Sequence, residues 1–472
     1  SDSALGSAVI ERSLKFNRGD SPYLSRALGS PTSDNKASVS VWVKRTDIST
    51  DNTFFDNYQG TNDRLSMTLV SSTDGDKFSV YQRDSSGIVC NLLTTQVFRD
   101  PASWYHILVA FDTTQGTAAD RVKIYVNGTQ ITAFDTSTYF SQNHNLRAGS
   151  GYTTNVGRYG AGSNYFGGYL AEFNYIDGQQ LSPTDVGFTD SQTGIWMPKR
   201  YEGSYGNNGF RLDFSDNSST STLGIDKSPN GNDFTANNFS VSAGTGNDSL
   251  IDTPSNNFAT MNPLVPSPSV TWANGNLDIS GSNATEYSQT NTSTFGVSSG
   301  KWYVEVKYAS AGSNNNPYVG ICPIKTSATV NMTGTVTDGA VLRMSNETYV
   351  EGTETGSVFA SGISVGNTIG IALDMDNLKV WFSVQGTYAN SGNPATGANA
   401  IFSGITAGET MAICIRPLNA SFNFNFGQRP FSYTPPTGFK TIESRNLSPN
   451  VPSIVRPQRF FETVTYTGNG GT

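Results

Sequence analysis

The sequence predicts an all-β protein of two antiparallel β-sandwiches in tandem, joined by a connector rich in Asn and Gly. The first observation is a strand signal that occurs in both halves, an aromatic-led strand followed by a strand of aromatic and β-branched residues that ends at a glycine. These pairs lie at 104–111 with 122–128, and at 301–306 and 369–374 with 378–386. The second observation is composition, since charged residues make up only 14% while aromatic residues reach 11%. Disordered chains show the opposite balance, so a folded, turn-rich β protein is expected.

Residues 1–200 are predicted to form the first β unit. Its predicted strands alternate or run apolar between turn residues, which is the pattern of half-buried strands; they span 13–16, 23–25, 38–44, 65–70, 77–83, 104–111, 122–126 and 168–176. The pair Asn127-Gly128 is a strong hairpin signal. One helical turn is expected after Ser182, as the cap, with Pro183 in the first helical position.

Residues 201–262 are predicted to connect the two units. Runs of Asn, Asp, Gly and Ser leave room for one short strand at 210–214. The segment still carries five phenylalanines: Phe210, Phe214, Phe234, Phe239 and Phe258. We therefore expect it to pack on its neighbours instead of forming a free linker.

Residues 263–442 are predicted to form the second β unit. It opens with Pro263, Pro266 and Pro268, which suit a stiff entry and not a ladder. Its predicted strands span 270–272, 302–308, 318–323, 339–344, 348–350, 368–374, 378–384, 410–415 and 420–426. The strict alternation at 421–426 predicts a row of phenylalanines in the core. Residues 443–472 are expected to be a proline-rich tail that leads to a further element after a strand at 462–466.

Charge and cysteine content exclude several classes of function. The net charge of −8 and the pI of about 4.9 argue against nucleic acid as a partner, because its binders need a basic stripe. No apolar stretch is long enough for membrane insertion, and the first residues lack the pattern of a secretory signal. Three cysteines are too few for a disulfide scaffold, and Cys322 and Cys414 stand in apolar strands, so buried free thiols are expected.

No catalytic constellation is evident, so the chain is predicted not to be an enzyme and to need no cofactor. Glycoside hydrolases use paired carboxylates about 5–10 Å apart. The nearest pairs are Asp374 with Asp376, best explained by a hairpin turn, and Glu351 with Glu354, in a loop without an apolar frame. His106 stands in an apolar strand and is expected to be structural.

The first half resembles the laminin-G-like and pentraxin-like group of concanavalin A-like jelly rolls. The resemblance covers about residues 10–195 and is carried by 40–43, 104–106, 122–128 and 167–173, followed by 181–186. The second half resembles a SPRY domain, which is also a concanavalin A-like sandwich. That resemblance covers about residues 263–440 and is carried by 300–305, 318–321, 370–374 and 380–386.

The order of these parts, with 209–214, 231–234 and 261–264 between them, resembles a recurring set of tailed-bacteriophage structural proteins of the tail-fibre type. The resemblance implies a virion protein that is assembled in the host cytoplasm and exposed on the particle surface. It implies host cell-surface glycan and other virion subunits as partners, and a homo-oligomer in which a trimer is favoured. A capsid-decorating structural protein and a glycan depolymerase remain as alternatives.

Glycan binding calls for exposed aromatic faces beside amide or carboxylate side chains. A Gly- and Asn-rich stretch of the first unit offers such a set, with loop packing or a subunit contact as the alternative: Tyr152, Asn155, Tyr159, Asn164 and Tyr165. In the second unit, the loops at 310–317 and 388–399 offer Asn314, Asn315 and Tyr388.

Calcium is left open as a ligand. The pentraxin-like resemblance implies an Asp-Asn pair followed by an acidic loop, and Asn62-Asp63 is the candidate for the pair. The corresponding loop at 158–164 contains no acid, so the pentraxin type of site is expected to be lost, because Ca²⁺ takes six to eight oxygen ligands. Asp20 is a further candidate ligand, with a plain turn as its alternative.

Overall fold

The structure, a computed structural model, describes residues 8–48, 50–71, 75–191, 193–265, 269–282, 290–312, 317–326, 332 and 336–447. Strands dominate these residues, and the α-helices among them are the four-residue turns α1 (Pro183–Val186) and α2 (Ser444–Leu447). Short 3-10 turns occur at Arg18–Asp20, Ala118–Asp120, Ser221–Gly224 and Ala389–Ser391. The predicted all-β class, with antiparallel sandwiches of the concanavalin A-like type, is confirmed. No helix in these ranges is long and apolar enough to cross a membrane.

The strands of the first 200 residues are β1 (Ser13–Phe16), β2 (Tyr23–Ala27), β3 (Lys36–Arg45), β4 (Asn52–Gly60), β5 (Asp63–Val70), β6 (Lys77–Asp84), β7 (Gly87–Val97), β8 (Tyr105–Asp112), β9 (Val122–Val126), β10 (Thr129–Ile131), β11 (Phe134–Thr138), β12 (Thr153–Val156), β13 (Gly168–Asp177), β14 (Gly187–Thr189) and β15 (Trp196–Pro198). The predicted hairpin at Asn127-Gly128 is confirmed, since β9 and β10 pair across it. The predicted helical turn is confirmed as α1, where the Ser182 amide donates to Asp185 Oδ2 at 2.7 Å.

The later strands are β16 (Phe210–Leu212), β17 (Thr235–Asn237), β18 (Ser249–Leu250), β19 (Val270–Ala273), β20 (Asp278–Gly281), β21 (Asn291–Thr292), β22 (Lys301–Ser310), β23 (Tyr318–Pro323), β24 (Ala340–Arg343), β25 (Glu347–Val350), β26 (Thr353–Ser357), β27 (Thr368–Asp374), β28 (Lys379–Val384), β29 (Thr387–Tyr388), β30 (Met411–Arg416) and β31 (Ser421–Asn425). The predicted tail strand at 462–466 lies outside the described residues.

The first sandwich consists of two antiparallel sheets. The junction sheet runs in the order β10-β9-β8-β3-β13-β1-β18, with β16 also paired to β13. The outer sheet runs in the order β11-β7-β6-β5-β4-β12-β2-β17. The alternate residues of both sheets that point inward form one buried core, which includes Val41 and Val109 of the junction sheet and Phe55, Val80 and Leu92 of the outer sheet.

The segment 201–262 contributes to this first sandwich. Its strands β16, β17 and β18 pair with β13, β2 and β1. All five of its phenylalanines are buried, and four of them belong to the core of the first sandwich. The apolar side chains explain why the segment packs against the sheets despite its polar composition, since burying one phenylalanine is worth about 1.5–3 kcal/mol.

The second sandwich pairs a sheet of order β19-β20-β31-β22-β27-β28-β29 with a sheet of order β21-β30-β23-β24-β25-β26. The predicted phenylalanine row is confirmed, because Phe422, Phe424 and Phe426 are fully buried while Asn423 between them is half-buried. The period of two residues along a strand places the three rings on the core face.

Buried side chains join the two sandwiches. Trp42, Trp104 and Tyr169 of the first sandwich belong to the same buried cluster as Leu277 and Ile279 of the second. The Tyr169 hydroxyl donates to the carbonyl oxygen of Gly275 at 2.9 Å. The second sandwich therefore packs against part of the junction sheet, and within the described residues no side chain of the outer sheet belongs to this shared cluster.

Candidate functional site

Strand register lines up polar side chains on the outward side of the outer sheet. Their neighbours in the strands, such as Val156, Phe55 and Val80, are in the core, so these residues point away from it. One cross-strand row consists of Asn155, Asp56, Ser66, Tyr81 and Asn91. The adjacent row consists of Thr153, Tyr58, Arg64 and Arg83.

Arg64 holds two tyrosine rings in place. Its guanidinium carbon lies 4.6 Å from the ring centre of Tyr159 and 5.0 Å from that of Tyr81. Its Nη1 donates to the Tyr159 hydroxyl at 2.7 Å. The Tyr58 ring meets Tyr159 edge-on with 5.6 Å between centroids. Tyr159 is thereby fixed in orientation before any ligand arrives, which reduces the entropy lost on binding.

The loop at 157–165 lies across this group and over Asp56. The Gly160 amide donates to Asp56 Oδ2 at 2.7 Å. A Cβ atom on Gly160 would lie only 2.2 Å from Tyr58 Cγ, so glycine allows the loop to approach the ring. Burial raises the pKa of Asp56 to about 7, against the opposing effects of the Gly160 hydrogen bond, Arg64 and Arg158. Asp56 Oδ1 has no hydrogen-bond partner within the described part of the chain.

Arg158 extends the group toward β2. Its guanidinium carbon lies 3.4 Å from the ring centre of Tyr23, and its Nε donates to Asn155 Oδ1 at 3.1 Å. Arginine stacks readily on aromatic faces because its guanidinium is planar and weakly hydrated. We call the whole group the outer face, defined by Tyr23, Asp56, Tyr58, Arg64, Tyr81, Arg83, Asn155, Arg158 and Tyr159.

The structure brings some of the predicted glycan-binding residues together. Asn155 and Tyr159 belong to the outer face, although Asn155 is only 1% exposed beneath the loop. Asn164 is exposed and Tyr165 half-buried at the far end of the same loop. Tyr152 lies at the other end of β12, where burial and a hydrogen bond to Asp63 raise the pKa of its hydroxyl.

Two of the three predicted calcium ligands, Asp63 and Asp20, are engaged by other side chains. Asp63 Oδ1 lies 2.7 Å from Arg147 Nε, and Arg147 Nη2 lies 3.0 Å from Asp84 Oδ2. The guanidinium thus stands between two carboxylates, where it supplies the positive charge that a cation would bring. Asn62 is exposed, and Asp20 accepts a hydrogen bond from Asn17 Nδ2 at 2.7 Å in a separate turn. Within the described ranges, no three His, Cys, Asp or Glu side chains form a group that could hold a metal ion.

Of the candidates in the second sandwich, Tyr388 alone lies within the described residues, and it is not part of the outer face. Asn314 and Asn315 lie outside the described residues. Tyr388 is half-buried on β29 and packs against a cluster that contains Trp381 and Phe439. Burial raises the pKa of its hydroxyl.

The predicted structural role of His106 is confirmed by its surroundings. Trp196 Nε1 donates to His106 Nδ1 at 3.1 Å, so Nε2 carries the proton in its 2.9 Å contact with Ser40 Oγ. Burial lowers the pKa of the imidazole to about 3, which keeps it neutral. The predicted turn at Asp374 is confirmed as well, since its Oδ1 accepts the amide hydrogens of Asp376 and Asn377 at 3.1 and 3.0 Å.

A cleft of about 550 Å³ lies between the two sandwiches, and sequence reasoning did not predict it. Its polar groups bond mainly to one another. Arg18 Nε lies 2.6 Å from Asp47 Oδ2, and the amide of Asn274 donates to Asn17 Oδ1 at 3.0 Å. The outer face is the stronger candidate because Asp56 Oδ1 and the Nε atoms of Arg64 and Arg83 have no hydrogen-bond partner among the described residues.

Most of the outer face was missed from the sequence. Asp56, Tyr58, Arg64, Tyr81 and Arg83 come from three strands, and only their register makes them neighbours. The alternation of β6, in which Tyr81 and Arg83 occupy outward positions between Val80, Gln82 and Asp84, is the local signal that points to this side of the sheet.

Comparisons with known proteins agree with the fold. The laminin G-type model described as the concanavalin A-like lectin/glucanases superfamily matches residues 18–187. No curated protein is significantly similar to the chain. Among solved structures, the SPRY domain of human HERC1 is 17% identical, with 35% of this chain and 96% of that chain covered and a TM-score of 0.28.

Two further solved structures are similar to this chain at low identity. A SAP-like pentraxin from Limulus polyphemus is 16% identical, with 37% of this chain and 80% of that chain covered and a TM-score of 0.28. A putative carbohydrate binding protein from Bacteroides ovatus is 17% identical, with 49% and 59% covered and a TM-score of 0.33. Residues 18–187 are thus similar to the family described as the concanavalin A-like lectin/glucanases superfamily, and the described residues of the chain form two β-sandwiches.

Proposed function

We propose that the chain is a non-enzymatic virion protein of the tail-fibre type and that its outer face binds a host cell-surface glycan. The observation that carries the proposal is the group of Tyr58, Tyr81 and Tyr159 around Arg64. Sugar rings present apolar C–H faces and hydroxyl edges, and tyrosine rings next to guanidinium and amide groups match both.

The fold supports the same proposal. The matched superfamily includes lectins, and the second sandwich packs against part of the junction sheet, whereas no described side chain of the outer face belongs to their shared cluster. The virion role is supported by the order of the two sandwiches and the segments between them. A symmetric homo-oligomer, with a trimer favoured, would present several outer faces at once and raise avidity without new contacts.

The proposal is tested by binding of the purified chain to host cells and to their extracted surface polysaccharide. We expect saturable binding that free polysaccharide competes. Tyr159→Ala should weaken it by about tenfold, since one well-placed aromatic contact is worth about 1 kcal/mol or slightly more. Tyr433→Ala, at a half-buried tyrosine of the second sandwich, is the matched control and should bind like the wild type, with circular dichroism confirming that both variants are folded.

Three outcomes would overturn the proposal or part of it. Equal binding by wild type and Tyr159→Ala would move the site away from the outer face. Binding to purified capsids or tails but not to host cells would assign the chain a structural role in the particle in place of host attachment. Release of reducing sugar from the polysaccharide would make it a depolymerase.

A further inference from the structure

Two arginines lie directly opposite each other on the outer face. The register of β5 and β6 pairs Arg64 with Arg83, and both side chains are half-buried. Like charges at directly opposed positions of an antiparallel pair destabilise a sheet. Arg158 adds a third positive charge across the same face, on a chain whose net charge is −8.

These charges lack carboxylate partners. Within the described ranges, no ion pair involves Arg64, Arg83 or Arg158, and the Nε atoms of Arg64 and Arg83 have no hydrogen-bond partner. Three other arginines of the first sandwich are paired: Arg45 with Asp76, Arg147 with Asp63 and Asp84, and Arg211 with Glu172. The outer face therefore gathers three cationic groups that form no ion pair with a described side chain.

The carboxyl group next to them in the register supplies only part of the missing negative charge. Asp56 is fully buried, its Oδ1 has no partner among the described residues, and burial raises its pKa to about 7. Near neutral pH the carboxyl is thus protonated in a large fraction of molecules. The face keeps its positive charge under the conditions in which a ligand would bind.

We infer that the outer face recognises an acidic polysaccharide, with its anionic substituents against Arg64 and Arg83 and its sugar rings on Tyr81 and Tyr159. The inference rests on the proposed glycan-binding function and names the class of glycan. A guanidinium donates two parallel hydrogen bonds to a carboxylate or sulfate, which gives orientation as well as charge. An incoming anion also removes the repulsion between the two arginines.

The test compares acidic and neutral polysaccharides on the purified chain. The probes are polygalacturonate, hyaluronan and polysialate as carboxylate bearers, dextran sulfate as a sulfate bearer, and carboxyl-reduced polygalacturonate, dextran and mannan as neutral polymers. We expect binding to one or more acidic probes, at least about tenfold weaker binding to the neutral polymers, and a loss of affinity as salt rises. Preference for carboxylate or sulfate bearers then identifies the anion.

Variants separate charge from folding. Arg83→Gln should weaken binding of the acidic probe by about tenfold, because Arg83 supplies charge without supporting Tyr159. Arg445→Gln, an exposed arginine of α2, is the matched control and should leave binding unchanged. Neutral polymers bound as tightly as acidic ones, with Tyr159→Ala still weakening them, would overturn this inference and leave the proposed function standing. No binding to any polysaccharide, including that of the host, would overturn both.

Discussion

Asp56 is a carboxyl group in surroundings that disfavour its charge. It is fully buried under the loop at 157–165, and one of its oxygens accepts the Gly160 amide hydrogen. Arg64 and Arg158 attract the ionised form, but burial has the larger effect and raises the pKa to about 7 from an ordinary 3.8. The folded protein therefore stabilises the neutral form of Asp56 relative to the charged form.

The sign of the resulting pH dependence follows from linkage. Because the folded-state pKa of Asp56 is raised, its contribution to stability is fully present below about pH 4 and is lost as the pH rises through about 7. Asp56→Asn removes this loss. We expect the variant to gain stability over the wild type between pH 4 and pH 8, by up to about 4 kcal/mol, in denaturant titrations at both pH values.

Asp34→Asn is the matched control for this prediction, since Asp34 is exposed in a turn of the same sandwich. Its stability relative to the wild type should not change with pH over the same range. A constant difference between Asp56→Asn and the wild type from pH 4 to pH 8 would show that the carboxyl is not held in its neutral form.

Arg147 decides the expected response to calcium. Its guanidinium contacts Asp63 and Asp84, and His144 Nε2 lies 3.3 Å from Asp84 Oδ2. A ligand that binds the native state raises the unfolding temperature by mass action. We expect millimolar Ca²⁺ or EDTA to shift the unfolding temperature by less than about 1 °C. A clear rise with Ca²⁺ that Asp63→Asn abolishes would restore the calcium site.

At the scale of elements, the loop at 157–165 depends on one close approach to β4. A Cβ atom on Gly160 would meet Cβ, Cγ and Cδ1 of Tyr58. These atoms lie close to the backbone and cannot move without shifting β4. Tyr159 precedes Gly160 and contacts Arg64 of β5. The contacts of the loop with β4 and β5 therefore determine the position of Tyr159 on the outer face.

We expect Gly160→Ala to lift the loop from Tyr58 and to weaken polysaccharide binding by about tenfold through misplacement of Tyr159. The core of the sandwich should stay folded, because the clash lies on its outward side. Gly60→Ala is the matched control, since a Cβ atom there meets nothing within 4 Å. Binding by Gly160→Ala equal to that of the Gly60→Ala control would show that the loop position does not matter.

At the scale of the whole molecule, buried polar contacts tie the end of the connector to the first sandwich, close to where the two sandwiches meet. Lys44 Nζ lies 2.8 Å from Asp252 Oδ2, with both side chains fully buried, and it also donates to Asn257 Oδ1. Trp104 Nε1 donates to the other oxygen of Asp252 at 3.1 Å. These bonds satisfy the buried charges and hold the end of the connector against the first sandwich.

Removing one member of this pair leaves a buried charge without compensation. We expect Lys44→Met to lower the free energy of unfolding by about 3–5 kcal/mol. Lys325→Met breaks a pair with Glu409 in which the lysine is 72% exposed, and it should cost less than about 1 kcal/mol. Urea titrations followed by tryptophan fluorescence compare the two. Equal losses would mean that the junction contributes no more than an exposed ion pair.

The sequence determined those features that depend on residues close in the chain. Alternation at 421–426 was enough to predict the phenylalanine row, and Asn127-Gly128 was enough to predict the β9–β10 hairpin. The strands β4 and β12 were missed because polar residues and bulges break their alternation. The aromatic and amide content of 152–165 predicted Tyr159 and Asn155 as binding residues, but it did not predict the side chains that contact them.

Only the tertiary structure decided the composition of the candidate site and the position of the connector. Arg64 and Arg83 become neighbours through the register of β5 and β6. Asp56 is shielded from solvent because the loop at 157–165, distant in sequence, lies over it. The connector packs on the first sandwich because four of its phenylalanines are buried in the core of that sandwich. Side-chain periodicity is a local property of a strand, whereas register, burial and charge compensation depend on segments distant in sequence.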